Sequence, residues 1–125
     1  ASAYINGKSY SFGPNGMDIR PLDQFLDLNG FREGFGFPLK LSGPEEQQFG
    51  SCLSSSQGGY SWLHNSCTDP IERCLNGMGY GVGDSLTPMG LGESIEANPK
   101  LYSPGSWHDY PASRPAEGPK SPWAK

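Results

Sequence analysis

The chain has 125 residues and a net charge of −4, with 18 glycines, 12 prolines, 18% charged and 12% aromatic residues. Such a length holds one small domain at most, and the mild acidity argues against nucleic acid and against anionic membrane surfaces as partners. No apolar run approaches the ~18–20 residues of a membrane span, so any membrane contact is expected to be indirect.

Leucine, isoleucine, valine and phenylalanine together number 22 of 125, under the ~20% at which a private core becomes doubtful. Simple disorder does not follow, because disordered chains are charge-rich and poor in aromatics. One valine and four isoleucines also argue against a sizeable sheet. The expected fold is therefore mostly irregular coil with two or three short α-helices, little or no β-sheet, and an extended proline-rich C-terminal tail. Two regions are expected: a small irregular domain over 1–98 and the tail over 99–125.

Between Tyr4 and Phe12, Asn6-Gly7 marks the turn of a tiny hairpin, and "GPNG" over 13–16 marks a second turn. "DIRPLDQFLDLNG" reads as a helix near 19–29: Asp18 caps it, Pro21 sits in its first turn, and Leu22, Phe25 and Leu26 share a face. Gly30 stops it. Phe31, Phe35 and Phe37 then stand among glycines, able to lie flat on this core or on another chain. One helical turn is expected over Glu45–Gln48. A flexible glycine- and serine-rich loop follows, carrying Tyr60 and Trp62 as anchors. A second helix is expected near 69–76, with Asp69 as cap, Pro70 at its first position and Glu72 completing a capping box. "GMGYGVGD" over 77–84 alternates glycine but lacks the strand and helix of a dinucleotide site. A last turn is expected over Glu93–Asn98, ended by Pro99.

Beyond Pro99 the chain should run extended, with Trp107, Tyr110 and Trp123 as spaced anchors on foreign surface. Proline lowers the entropy such a segment loses on docking.

Cys52, Cys67 and Cys74 follow the spacing C-x14-C-x6-C, which matches no zinc motif. One disulfide plus one free thiol is expected, with all three pairings open, and a disulfide implies an oxidising compartment. His64 and His108 are the candidates for a pigment or metal ligand. No nucleophile stands beside a base on a rigid scaffold, so no catalytic residue and no metal site is expected. The leading class is a non-catalytic accessory subunit that staples neighbours in a large assembly, since it must borrow surface from partners. A secreted disulfide-stabilised binding module is the alternative.

With its "ASAY" start, which reads as processed, its lack of a membrane span, its cysteines and its Pro/Trp tail, the chain resembles in style the peripheral subunits of photosystem supercomplexes from algae with complex plastids. That resemblance implies a peripheral thylakoid location, on the lumenal side if the disulfide forms. It also implies protein subunits as partners, no homo-oligomer, no cofactor of its own, and a peripheral chlorophyll contact. Accessory chains of mitochondrial respiratory complexes are similar, though their twin C-x9-C pattern is absent.

Overall fold

The computed structural model describes residues 1–30, 34–61, 65–83 and 87–110. They form five strands in two antiparallel sheets and four helices, in the order β1 (Ser2–Ile5), β2 (Lys8–Gly13), β3 (Gly16–Pro21), α1 (Leu22–Leu28), β4 (Gly34–Gly36), α2 (Gly43–Ser54), α3 (Asp69–Gly77), α4 (Pro88–Glu96) and β5 (His108–Tyr110). The expectation of a mostly coil chain with little or no sheet is overturned.

Turn chemistry builds the larger sheet. Asn6 and Gly7 take φ of 50° and 81°, the two left-handed residues of a type I′ turn, whose twist matches the strands it joins. Gly16, at φ 95°, closes the second hairpin after Pro14-Asn15, and β1-β2-β3 becomes a three-stranded meander. Ala3, Ile5 and Phe12 turn one face inward, while Ser2, Ser9, Ser11 and Asp18 occupy the other. A short sheet whose buried positions are filled by Ala3, Ile5, Ser9 and Phe12 needs few β-branched residues, because strand preference mostly reflects packing. That is why the scarcity of valine misled.

The first helix starts later than its spacing implies. Residues 18–21 pair with β2 instead, and Asp18, the expected cap, accepts two hydrogen bonds from Arg20 at 2.6 and 3.0 Å. Arg20 precedes Pro21, a position where the helical conformation is disfavoured, so the helix begins at Leu22. The expected single turn over 45–48 is the start of a 12-residue helix, α2. Ser42 and Glu45 form its capping box, with bonds of 3.2 and 3.0 Å. Phe49 and Leu53, one turn apart, bury its inner face. At α3 the cap residue is Thr68, and Asp69 instead accepts from the Ser66 amide at 2.6 Å. At α4, Thr87 accepts from the Gly90 amide at 3.1 Å, and Pro88 opens the helix.

Helices α2, α3 and α4 and the inner face of β1–β2 enclose one core. Leu53, Leu75 and Leu101 are wholly buried at its centre, with Ile5, Phe49 and Ile95 around them. Tyr102 is buried as well. The segment expected to leave the body at Pro99 therefore contributes core residues. The Lys40 amide donates to the Leu101 carbonyl at 2.7 Å, and β5 pairs with β4. Extension beyond Tyr110 concerns 111–125, outside the described residues.

Candidate interaction site

The second helix and the third are joined by a disulfide, Cys52–Cys74, the pairing that spans 22 residues. Cys67 remains a half-buried free thiol. The stretch between them, expected to be flexible, is tied down in its described part. Arg73 donates to Asn65 Oδ1 at 2.8 Å and to Gln57 Oε1 at 3.0 Å, and Gln57 Nε2 donates to the Cys52 carbonyl at 2.7 Å. The glycine run after α3 is likewise a structural turn. Asn76 brackets Val82 with bonds of 2.8 and 3.1 Å, and the Tyr80 hydroxyl donates to Glu45 Oε2 at 2.6 Å. That bond holds the Glu45 carboxyl below its usual range and raises the Tyr80 phenol above its own.

The expected anchors divide three ways. Phe31, Trp62 and Trp123, with the candidate ligand His64, lie outside the described residues. Tyr60 packs on Phe12 with ring centroids 5.6 Å apart, and Phe37 meets Tyr102 edge-on at 5.7 Å; both contacts serve this chain's own body. Phe35, Trp107 and Tyr110 remain substantially exposed on the β4–β5 ribbon, and Phe35 and Trp107 meet edge-on. His108 is exposed on the same ribbon, paired with Gly36.

Beside this ribbon opens a long trough of about 1210 Å³, large against the ~300–1,000 Å³ of small-molecule pockets. One wall is β1. A second is α1, whose Leu22, Phe25, Leu26 and Leu28 all face it. The far wall comes from the Phe35–Leu39 segment, α4 through Leu91 and Ile95, and the ribbon through His108 and Tyr110. Phe49 and Ile71 form part of its lining.

Helix α1 is the unusual member. It buries no residue at all, and Leu26 and Leu28 are 37% and 52% exposed. Four of its seven residues are large and apolar, enough for one full stripe, yet this chain leaves that stripe partly uncovered. The sequence reading recognised Leu22, Phe25 and Leu26 as one apolar face without saying what that face packs on. Leu28, which widens that face on one side, was the available signal that the apolar stripe is broad. The open edge of β1 was missed with the sheet itself.

Among the described residues no group of three His, Cys, Asp or Glu side chains could hold a metal ion. No described helix is long and apolar enough to cross a membrane. The chain matches no known protein family, no curated protein and no solved structure.

Proposed function

We propose that this protein is a non-catalytic accessory subunit that docks a neighbouring protein chain in its trough and so helps hold a larger assembly together. The observation that carries the reading is α1, a helix with four large apolar residues and none buried, lining a largely apolar trough somewhat larger in volume than a small-molecule pocket. Burying apolar surface is worth roughly 25 cal/mol per Å², and contiguous apolar surface rimmed by polar groups is the usual mark of a protein interface. The exposed Phe35, Trp107 and Tyr110 on the ribbon suit the same use, since aromatics supply most area per side chain immobilised.

The setting is a photosystem–antenna supercomplex at a thylakoid, with indirect membrane contact and a chlorophyll near His108; it rests on the sequence resemblance alone. The Cys52–Cys74 disulfide favours an oxidising compartment, and it equally suits a secreted binding module. Native electrophoresis of material from the source cell distinguishes them. An accessory subunit migrates in a large assembly, with chlorophyll if the setting is right. A secreted module migrates at or near its own 13.5 kDa.

A further inference from the structure

We propose that Asn6-Gly7, the tip of the β1–β2 hairpin, is a site of spontaneous covalent modification: water converts the Asn6 carboxamide to a carboxylate through a cyclic imide, leaving in part an isoaspartyl linkage in the turn. This chemistry is the chain's own and does not depend on a docked partner.

The reaction is fastest where asparagine precedes a residue without a Cβ, because the next backbone nitrogen must reach the carboxamide carbon. Four such pairs occur: Asn6-Gly7, Asn15-Gly16, Asn29-Gly30 and Asn76-Gly77. Asn65 precedes serine, and Asn98 precedes proline, which has no N–H to give up. At the hairpin tip the Gly7 nitrogen loses its proton to base and attacks Asn6 Cγ. An N–Cγ bond forms, the Cγ–Nδ2 bond breaks, and ammonia leaves with the proton returned. Water then opens the imide that remains. Cleavage of the new N–Cγ bond gives an ordinary aspartyl linkage. Cleavage between the same nitrogen and the Asn6 main-chain carbonyl carbon routes the backbone through Cβ and Cγ instead. One water enters and one ammonia leaves, and nothing is oxidised or reduced.

The fold ranks the four pairs, since each hydrogen bond on the carboxamide or on the attacking nitrogen has to open before reaction. Asn76 Oδ1 accepts from the Val82 amide at 2.8 Å, and its Nδ2 donates to the Val82 carbonyl at 3.1 Å. Asn29 Nδ2 donates to the Phe25 carbonyl at 2.9 Å, and the Gly30 amide donates to the Asp27 carbonyl at 3.2 Å. Asn15 is exposed, but Gly16 pairs with Gly13 across a two-residue turn, the flanking position whose amide bonds across a hairpin. Asn6 differs on both counts. It and Gly7 are the exposed central residues of their turn, outside the ladder. Among the described residues neither the Asn6 carboxamide nor the Gly7 amide has a hydrogen-bond partner. Asn6 also holds φ 50°, the only positive φ among the described non-glycine residues. That conformation costs an L-residue energy, so the turn resists opening less.

The isoaspartyl product changes the turn. A two-residue I′ loop sets the register of Ile5 against Lys8, and an added main-chain carbon does not fit it. The Gly7 carbonyl accepts from the Leu22 amide at 3.0 Å, so the same step loosens the first residue of α1.

The test incubates the full folded chain at neutral and mildly alkaline pH, beside the same chain in denaturant, and follows the four sites by peptide mapping with mass spectrometry. Trypsin cuts after Lys8 and so separates Asn6 from the other three. All four pairs are the same dipeptide, so their rates should be alike in the denatured chain, and a spread in the folded chain reports structure. In the folded chain Asn6 is expected to react first, roughly tenfold or more faster than Asn29 and Asn76, and faster at the higher pH. The isolated isoaspartyl form should show accelerated hydrogen exchange at Lys8 and Leu22. Asn6→Asp, which adds the charge without lengthening the backbone, should not. First reaction at Asn15, Asn29 or Asn76, or four equal rates in the folded chain, overturns the assignment. An Asn6 that stays intact in the folded chain while the denatured chain reacts overturns it as well. Unchanged exchange in the isoaspartyl form overturns the loosening of the turn.

Discussion

Trp107 meets Phe35 edge-on, with ring centroids 5.7 Å apart and planes at 69°. The pair clamps β5 to β4 at a site about half open to solvent, because Trp107 is 47% exposed. Trp107 is thus an internal fastener of the ribbon before it is an anchor on any other chain.

Trp107→Ala should therefore lose an aromatic pair worth about 0.5–1.5 kcal/mol and loosen the ribbon locally. Hydrogen exchange at Gly34–Gly36 and His108–Tyr110 should accelerate, while the amides of α2 and α3 keep their protection. Unchanged exchange across the ribbon would show that the ring contact does not hold it.

Reducing Cys52–Cys74 should destabilise the whole core. Opening a cross-link over 22 residues restores about 3 kcal/mol of chain entropy to the unfolded state. The bond also ties α2 to α3, which supply Phe49, Leu53, Ile71 and Leu75 to the core. Denaturant unfolding with and without reductant measures this, and Cys67→Ala, which leaves the bond intact, should behave as wild type.

The Tyr80–Glu45 bond makes stability depend on pH at both ends. Glu45 is depressed below 4.5, first by Tyr80 and then by the Ser42 amide. Its contribution is present above the unfolded value and is lost as pH falls through the depressed folded one. Tyr80 is raised above 10.0, first by Glu45, so its contribution is present below that value and is lost as pH rises through the folded one. In Tyr80→Phe the alkaline loss assigned to this residue should vanish. The acid loss should shrink without vanishing, because Ser42 still holds Glu45. Melting curves across pH for the two proteins check both limbs.

Tyr102 is 1% exposed, and its hydroxyl has no hydrogen-bond partner among the described residues. A buried polar group without a partner costs about 1–3 kcal/mol. Tyr102→Phe keeps the ring against Phe37 and should leave stability unchanged or raise it by about 1 kcal/mol. A clear loss in the denaturant midpoint would mean that the hydroxyl is bonded in the native protein.

What the sequence disclosed was local. Asn6-Gly7 announces its hairpin and Pro70 its helix, because turn and first-turn chemistry depend on the residues at hand. What it concealed was pairing. Residues 18–21 carry a helix-like pattern, and only their register against β2 makes them a strand. The α2 capping box lies in "SGPE", yet the glycine and serines of "FGSCLSSS" masked a helix that Phe49 and Leu53 stabilise through the core. Leu101 and Tyr102 sit in a proline-rich stretch whose composition suggests a tail, and tertiary packing overrides it. The trough combines β1, α1, α4 and β5, which are distant in sequence, so no single stretch could announce it.

The most direct test of the docking claim is native electrophoresis and co-purification of wild type beside a Leu26→Asp, Leu28→Asp variant. Both leucines are partly exposed on α1 and neither belongs to the core, so the body should still fold, with a loss of about 1 kcal/mol per site for the apolar surface each half-covers. Wild type is expected in a large assembly and the variant free, at its monomer mass. A variant that stays bound as firmly as wild type, or a wild type that migrates alone, would contradict the account.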